Sequence, residues 1–511
     1  MPSENNKRIA KNTLFLYFRM LLIMIVSLFT ARVILNTLGV VDYGLNNVVA
    51  GVITLFAFLN NALATSTSRF LTFELGKKNG GQTRKIFSTS FNIHFCMAVI
   101  VVVFCETAGL WIVNNFLAIP ADRLYACNVI YQFVIISAFL SITQAPLTAL
   151  IISHERMKVY AYLGVSDAIL RLCVAYLITI SPFDKLITLG TLQLFIAVGM
   201  YIFYHLYCKY NFSEYIIAIS RDKKIYGEMI GYSLWSLLGS SAIMLKNQGV
   251  SILINIFFGP IVNATNAIAY QVNQALTNFS NNFTTALKPQ IIKSYASDEH
   301  ERMKTLIFTG GKFSFFLLML LSIPILLETN TILRLWLGQV PEYSVSFTRL
   351  IIILSMIECF AYTISTGIQA TGNIRNYLLF VSGVHLLNFP LTFLFFKFGS
   401  EPSAALTISI ILSAITIFIR LFFIRKFLKI DILEYSRDVL LICFVVFILS
   451  ILPPWGLYVK LDDSILKLFL IIMTSTISSI IFIYQIGLKN EEKRFIISTI
   501  KKKIHNRHYI Q

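Results

Sequence analysis

Apolar residues in this chain come in long unbroken runs rather than at alternating positions. The first, "LYFRMLLIMIVSLFTARVILNTLG" from Leu16 to Gly39, sets the style of the rest. Runs of about 20 residues let a helix cross the hydrocarbon of a bilayer, whereas barrel strands would show short alternating patterns. Read against their polar breaks, the runs predict spans at 13–38, 44–68, 87–113, 124–149, 160–181 and 186–208. A second set follows at 229–258, 264–287, 308–328, 345–370, 377–397 and 402–424, with a last pair at 438–453 and 464–487. The expected fold is an all-α polytopic membrane protein of about fourteen transmembrane helices.

Composition agrees. Of 511 residues, 56 % are hydrophobic and 13 % charged, against about a quarter charged in soluble domains, and the mean hydropathy is +0.73. The opening "MPSENNKRIAKN" is polar and basic, and the first apolar run is far longer than a signal-peptide core, so that run is expected to remain as a helix. With the N-terminus inside, 32 Lys and Arg fall in inner segments and 5 in outer loops. That asymmetry is the positive-inside signature, and its alternation favours fourteen spans with both termini cytoplasmic. The net charge of +18 is therefore mainly topology and not a nucleic-acid surface. The basic tail at 488–511 is expected along the inner leaflet, beside anionic lipid.

Several functions lose their footing. The seven cysteines lack any C-x-x-C pair or neighbouring His in ligand spacing, so neither a disulfide frame nor a metal site is implied. The stretch "TGGKFS" at 309–314 has the Gly-Lys pair of a phosphate loop without its earlier spaced Gly or the Ser or Thr directly after Lys312. No expected loop exceeds about 25 residues, too few for an independent core, and the chain is not read as an enzyme.

A shift of 220 residues brings Gly39 onto Gly259, Asn46 onto Asn266, Val52 onto Val272 and Asn61 onto Asn281. At a similar offset Lys158 falls near Arg375, and Tyr160 near Tyr377. Six helices are thus followed by six in the same orientation, with two more appended. The expected organisation is an N-terminal six-helix lobe at 1–208, a cytoplasmic linker at 209–228, a C-terminal six-helix lobe at 229–424, two further helices within 425–487 and the tail. In the span at 264–287, Asn266, Tyr270, Asn273, Thr277, Asn281 and Thr284 recur at steps of three and four, so they share a helix face. That face reads as the wall of a water-lined cavity; the weaker stripe in 44–68 reads equally as helix-to-helix hydrogen bonding.

Cations inside apolar spans need a partner, a wet cavity or a route to the surface. Arg19, Arg32, Arg171, Lys246, Arg349 and Lys467 lie so. Arg349 and Lys467, near span ends, are expected to snorkel. Lys246, at mid-span beside Asn247 and Gln248, is expected in the cavity. Arg171 has Asp167 four residues earlier on its own face, and Arg32, followed by Asn36, is favoured over Arg19 as the cavity-facing residue of its span. Glu358, Glu106 and Asp167 are the candidates for carrying a proton or Na⁺, with Glu358 alternatively the counter-ion of Lys246. His94 and His385 are expected to be packing residues.

The chain resembles the polysaccharide transporter or O-antigen flippase (Wzx-type) branch of the multidrug/oligosaccharidyl-lipid/polysaccharide exporter superfamily. The resemblance rests on "KNTLFLYFRMLLIMIVSLFTARVILNTLGVVDYGLNNVVAGV", "SRFLTFELGKKN", "LKPQIIKSYA" and the six-plus-six-plus-two plan. It implies a MATE-like pair of lobes around a cavity that opens alternately to each side of a bacterial inner membrane. It also implies a cargo, undecaprenyl-diphosphate-linked oligosaccharide for O-antigen, lipopolysaccharide or capsule, and a cationic cavity to match the diphosphate. Lys246, Arg32, Arg171 and Arg19 are the candidate cations of that cavity, and Asn273, Thr277 and Asn281 the candidate sugar contacts. No cofactor is expected beyond coupling to Na⁺ or H⁺. The expected partners are the lipid-linked glycan, the bilayer and other glycan-assembly membrane proteins. An ion-coupled multidrug exporter and, less favoured, a membrane glycan polymerase or ligase are the alternatives.

Overall fold

The structure is a computed structural model that describes residues 2–54, 57–77, 82–115, 119–219, 222–490 and 492–493. Helices account for its secondary structure, and there is no strand among the described residues. In chain order they are α1 (Pro2–Thr54), α2 (Ala57–Gly76), α3 (Thr83–Phe104), α4 (Leu110–Asn115), α5 (Leu124–Ser153), α6 (Met157–Leu177), α7 (Lys185–Asn211) and α8 (Lys223–Ala296). There follow α9 (His300–Leu327), α10 (Thr329–Leu337), α11 (Ser344–Thr371), α12 (Arg375–Leu386), α13 (Asn388–Lys397), α14 (Ala404–Leu428), α15 (Ile432–Tyr435), α16 (Ile442–Lys460) and α17 (Ile465–Phe482).

Twelve of these stretches are long and apolar enough to cross a membrane, and each matches one of the fourteen expected spans. Of the other two, 44–68 runs through α1 and α2 across residues 55–56, which lie outside the described residues. The last, 264–287, is helical within α8, and its amides and hydroxyls lower its hydropathy. Among the twelve membrane-crossing stretches the largest difference at a boundary is at α9, which begins eight residues before the expected 308, because its polar first turns continue the helix beyond the apolar run. The tail from 494 onward lies outside the described residues.

The repeat seen in the sequence has a backbone counterpart. α1 is broken at Gly39 (φ 76°, ψ 171°) and α8 at Gly259 (φ 83°, ψ 177°). That region of φ/ψ is essentially reserved for glycine. Nothing lies within 4 Å of where a Cβ would stand at either position, so backbone conformation alone sets the requirement. Each break lets an apolar span pass directly into a more polar helix without an intervening loop.

The chain divides into two compact units, one made of Lys11–Ser241 with Ile292–Asp298, the other of Ala242–Ile291 and Glu299–Gln511 with Met1–Ala10. In the first, α5 packs against α2, α3 and α7, around a core that includes Val101, Cys127, Ile130, Tyr131 and Leu186. The buried Tyr131 hydroxyl donates to the Cys105 carbonyl (2.9 Å), which accompanies a π-turn at Cys105–Gly109 between α3 and α4. In the second unit α11 packs against α9 and α14, and the appended α16 and α17 pair with each other and dock on α9. Lys312, from the Gly-Lys pair, is buried in α9, where it donates to Glu492 (3.0 Å) and to the Gly487 carbonyl (3.2 Å). It ties the end of the chain to the helix core, and no phosphate loop forms there.

At one end of the first unit Arg123 clamps two elements. It donates to Asp42, three residues past the Gly39 break (Nε to Oδ1, 2.8 Å), and to Asp184 (2.6 Å). Asp184 also caps α7 by accepting from the Leu186 and Ile187 amides at 3.0 Å each. Burial works to raise the Asp184 carboxyl, but those amides and the Arg123 guanidinium outweigh it and hold the carboxyl below the usual aspartate range.

Two outcomes follow from these features. Gly39→Ala and Gly259→Ala should each destabilise the protein by about 1–3 kcal/mol, read as a fall in Tm; an unchanged Tm would refute the glycine-only reading. A carboxyl depressed in the folded state stabilises above its unfolded value, about 4, and the contribution is lost as pH falls through the lowered folded value. The Tm of Asp184→Asn should therefore lie below wild type at neutral pH and converge on it in acid, and a constant gap would contradict the assignment.

Candidate functional site

The face of α6 that carries Tyr160, Gly164, Asp167 and Arg171 at steps of four, three and four borders a cavity of about 520 Å³ inside the first unit. Its walls come from six helices of that unit, with α3 contributing Val101. Arg19 of α1 and Asn60 of α2 meet Ser137, Ser141 and Gln144 of α5, Asp167 and Arg171 of α6, and Tyr204 of α7. Arg171 donates through Nε to Asp167 Oδ2 (2.9 Å), with both side chains partly exposed to the cavity. The Arg19 guanidinium lies over the Tyr160 ring, 4.4 Å from its centroid, a cation–π contact. Gly164, one turn beyond Tyr160, leaves the room the guanidinium takes, since a Cβ there would collide with it. Arg19 Nε is buried without a hydrogen-bond partner among the described residues. Two cations against one carboxylate leave this polar cavity with a surplus of positive charge.

Arg19, Arg171 and Asp167, proposed from sequence, are thus brought together. Arg32 is not with them: it is exposed, with no polar partner among the described residues. Glu106 sits in the π-turn and accepts from Gln132 Nε2 (3.1 Å), away from the cavity lining.

The remaining candidates belong to the second unit. Lys246 is 5 % exposed, and its ammonium is 2.5 Å from Glu358 Oε1 and 3.3 Å from Ser413 Oγ. Of the two sequence readings for Glu358, the counter-ion geometry is the one present. Along the polar face of α8, Asn273 accepts from Ser355 of α11 (2.7 Å). Thr277 turns back onto the Asn273 carbonyl (3.0 Å), Thr285 onto the Asn281 carbonyl (2.7 Å), and Asn281 itself is exposed. The stripe is therefore mixed: one amide bonds to a neighbouring helix, hydroxyls satisfy themselves on their own turn, and other amides stay open.

Arg349 and Lys467, expected to snorkel, each have polar partners near their span ends. Arg349 donates to the carbonyls of Leu326 (3.0 Å) and Leu327 (3.4 Å) at the end of α9, and Lys467 is held by Asp463 (2.9 Å) over the Tyr458 ring. Sequence reasoning missed Arg420, which counts among the 32 inner Lys and Arg. It is buried on α14, where it donates to Ser365 Oγ (2.6 Å) and to the Tyr377 hydroxyl, joining α14 to α11 and α12. Its position four residues inside the expected span end was the available signal.

Solved structures similar to this chain are MATE transporters. A MATE crystallised in complex with MaD3S has a TM-score of 0.70 at 14 % identity, over 83 % of this chain and 97 % of that one. A MOP superfamily transporter from Pyrococcus furiosus, described as having a binding pocket of reversed polarity that suggests a different function, has a TM-score of 0.71 at 12 % identity, over 84 % and 97 %. An outward-facing multidrug resistance MATE family transporter of the MOP superfamily has a TM-score of 0.67 at 14 % identity, over 84 % and 97 %. No protein-family model and no curated protein matches the chain. The fold is that of the MATE transporters, and at these identities the likeness carries no cargo with it.

The two ion pairs should respond differently to mutation. Removing one partner of a buried pair costs about 3–5 kcal/mol, so Lys246→Met should lower Tm strongly. Asp167→Asn acts on a partly exposed pair, worth less than about 1 kcal/mol, and should scarcely move it. Equal losses would contradict the contrast in burial.

Proposed function

We propose that the chain is a flippase that carries an undecaprenyl-diphosphate-linked oligosaccharide, an O-antigen, capsule or similar unit, from the cytoplasmic to the periplasmic leaflet of a bacterial inner membrane by alternating access. The observation that carries this reading is a cavity lined by both Arg19, whose Nε has no hydrogen-bond partner among the described residues, and Arg171, with one carboxylate, Asp167, amides, hydroxyls and apolar side chains making up the rest. Guanidinium groups recognise phosphate oxygens through two parallel hydrogen bonds, which suits a diphosphate. In this reading Asn60, Ser137, Ser141 and Gln144 hydrogen-bond the first sugars, while the prenyl tail stays in the lipid. The open amides of α8, including Asn281, are proposed sugar contacts within the second unit.

Lys246 is given no phosphate role, because Glu358 already holds its charge. Asp167 orients Arg171. We propose, as from sequence, two six-helix lobes at 1–208 and 229–424, a cytoplasmic linker at 209–228, an appended pair within 425–487 and a basic tail along the inner leaflet. No bond of the cargo is broken.

The MATE fold is equally compatible with an ion-coupled multidrug exporter, and cavity charge is what favours the flippase: a site for organic cations calls for surplus carboxylate. That a MOP superfamily transporter from Pyrococcus furiosus is described with a pocket of reversed polarity supports reading cargo from pocket charge within this fold. A glycan polymerase or ligase has no feature of its own in favour.

Deleting the gene in its native cell and analysing lipids tests the proposal. A complete lipid-linked repeat unit should accumulate on the cytoplasmic side, and the double variant Arg19→Ala/Arg171→Ala should insert normally yet fail to clear it. Accumulation on the outer side, or full clearance by the variant, would overturn it.

A further inference from the structure

Lys246 and Glu358 form a cation–carboxylate contact between α8 and α11, with Lys246 buried and Glu358 half-buried. Four helices of the second unit surround it: α8 supplies Lys246, α11 Glu358, α14 Ser413, and α12 His385. Ser413 Oγ donates to Glu358 Oε1 (2.9 Å), the same oxygen that accepts from the ammonium (2.5 Å). The other titratable groups close enough to feel the Glu358 charge are His385, whose Nδ1 has no hydrogen-bond partner among the described residues, Tyr270, Tyr362 and the adjoining Cys359. A carboxylate and a hydroxyl oxygen converging on one point make an oxygen-ligand site of the kind a small hard cation takes. Here an ammonium on a tether fills that point.

We infer that Lys246 is a built-in cation: it occupies the position in which a free Na⁺ or proton would neutralise Glu358, and so makes this site independent of the surrounding ion. A tethered ammonium competes at an effective concentration that a flexible short tether sets in the millimolar range or above, and it needs no dehydration of a free ion. A carboxylate in the membrane interior cannot remain alone, so removal of the tethered charge obliges Glu358 to recruit another. The inference rests on the transport reading only for its consequence, that no coupling ion acts through Glu358; the site itself is tested without transport.

The full-length protein in nanodiscs of phosphatidylethanolamine and phosphatidylglycerol is followed by thermal unfolding with sodium chloride exchanged for choline chloride at equal ionic strength. Wild type should show the same Tm in both salts. Lys246→Met should be rescued by several degrees in Na⁺, or on mild acidification where a proton takes the place. Lys246→Met/Glu358→Gln should respond to neither. A Lys246→Met variant insensitive to both would overturn the inference, as would a Na⁺ shift in wild type that Glu358→Gln abolishes. If Lys246→Met does not fold in either salt, binding of radioactive sodium to wild type decides. Saturable binding that Glu358→Gln removes overturns the inference, and no Glu358-dependent binding upholds it. None of these readouts involves a lipid-linked glycan, so they stand or fall separately from the flippase assignment.

Discussion

An ionised side chain carried into hydrocarbon must be answered there by opposite charge, by hydrogen bonds or by water. The interior of this protein is organised by that demand. Lys246 is answered by Glu358, Lys312 by Glu492, Lys467 by Asp463, Arg349 by the carbonyls that end α9, and Arg420 by Ser365 and Tyr377. All of these contacts except Lys467–Asp463, which lies at the start of one helix, also join helices or ends of helices, so compensation and architecture largely share one set of bonds. Arg19 departs from this. Its guanidinium has an aromatic face beneath it and space beside it, and its Nε has no hydrogen-bond partner among the described residues. A preorganised, uncompensated cation in a polar cavity is where an anionic ligand gains most.

Most of the architecture was legible in the chain because the membrane permits few solutions: backbone polar groups in lipid must be paired within the segment, so each apolar run is a helix. The glycine register was legible too. Gly39 and Gly259 were aligned by a weak repeat, and both adopt the same left-handed, extended break. The early start of α9 was less so, since hydropathy reports where lipid ends and not where a helix does.

The site was only half legible. Spacing within one helix predicted the Arg171 and Asp167 pair, because residues four apart must be neighbours. Spacing could not decide between Arg19 and Arg32, since the choice depends on which face of α1 meets α6, and the deciding feature is the gap at Gly164 on another helix. Lys246 looked available from its own helix, and only the approach of α11 and α14 reveals Glu358 and Ser413 around it. Arg420 was hidden by its nearness to a span end, although Ser365 and Tyr377 draw it inward.

The proposed division of labour puts anion recognition in the first unit and an internally balanced charge pair in the second. Its most direct test is transport in proteoliposomes containing only this protein, with a lipid-linked diphosphate oligosaccharide in the inner leaflet and exposure of its sugar scored from outside. Acceleration of sugar exposure over protein-free vesicles, with no uptake of a lipophilic organic cation by the same vesicles, is the predicted result. Cation uptake without any acceleration of glycan exposure would contradict it.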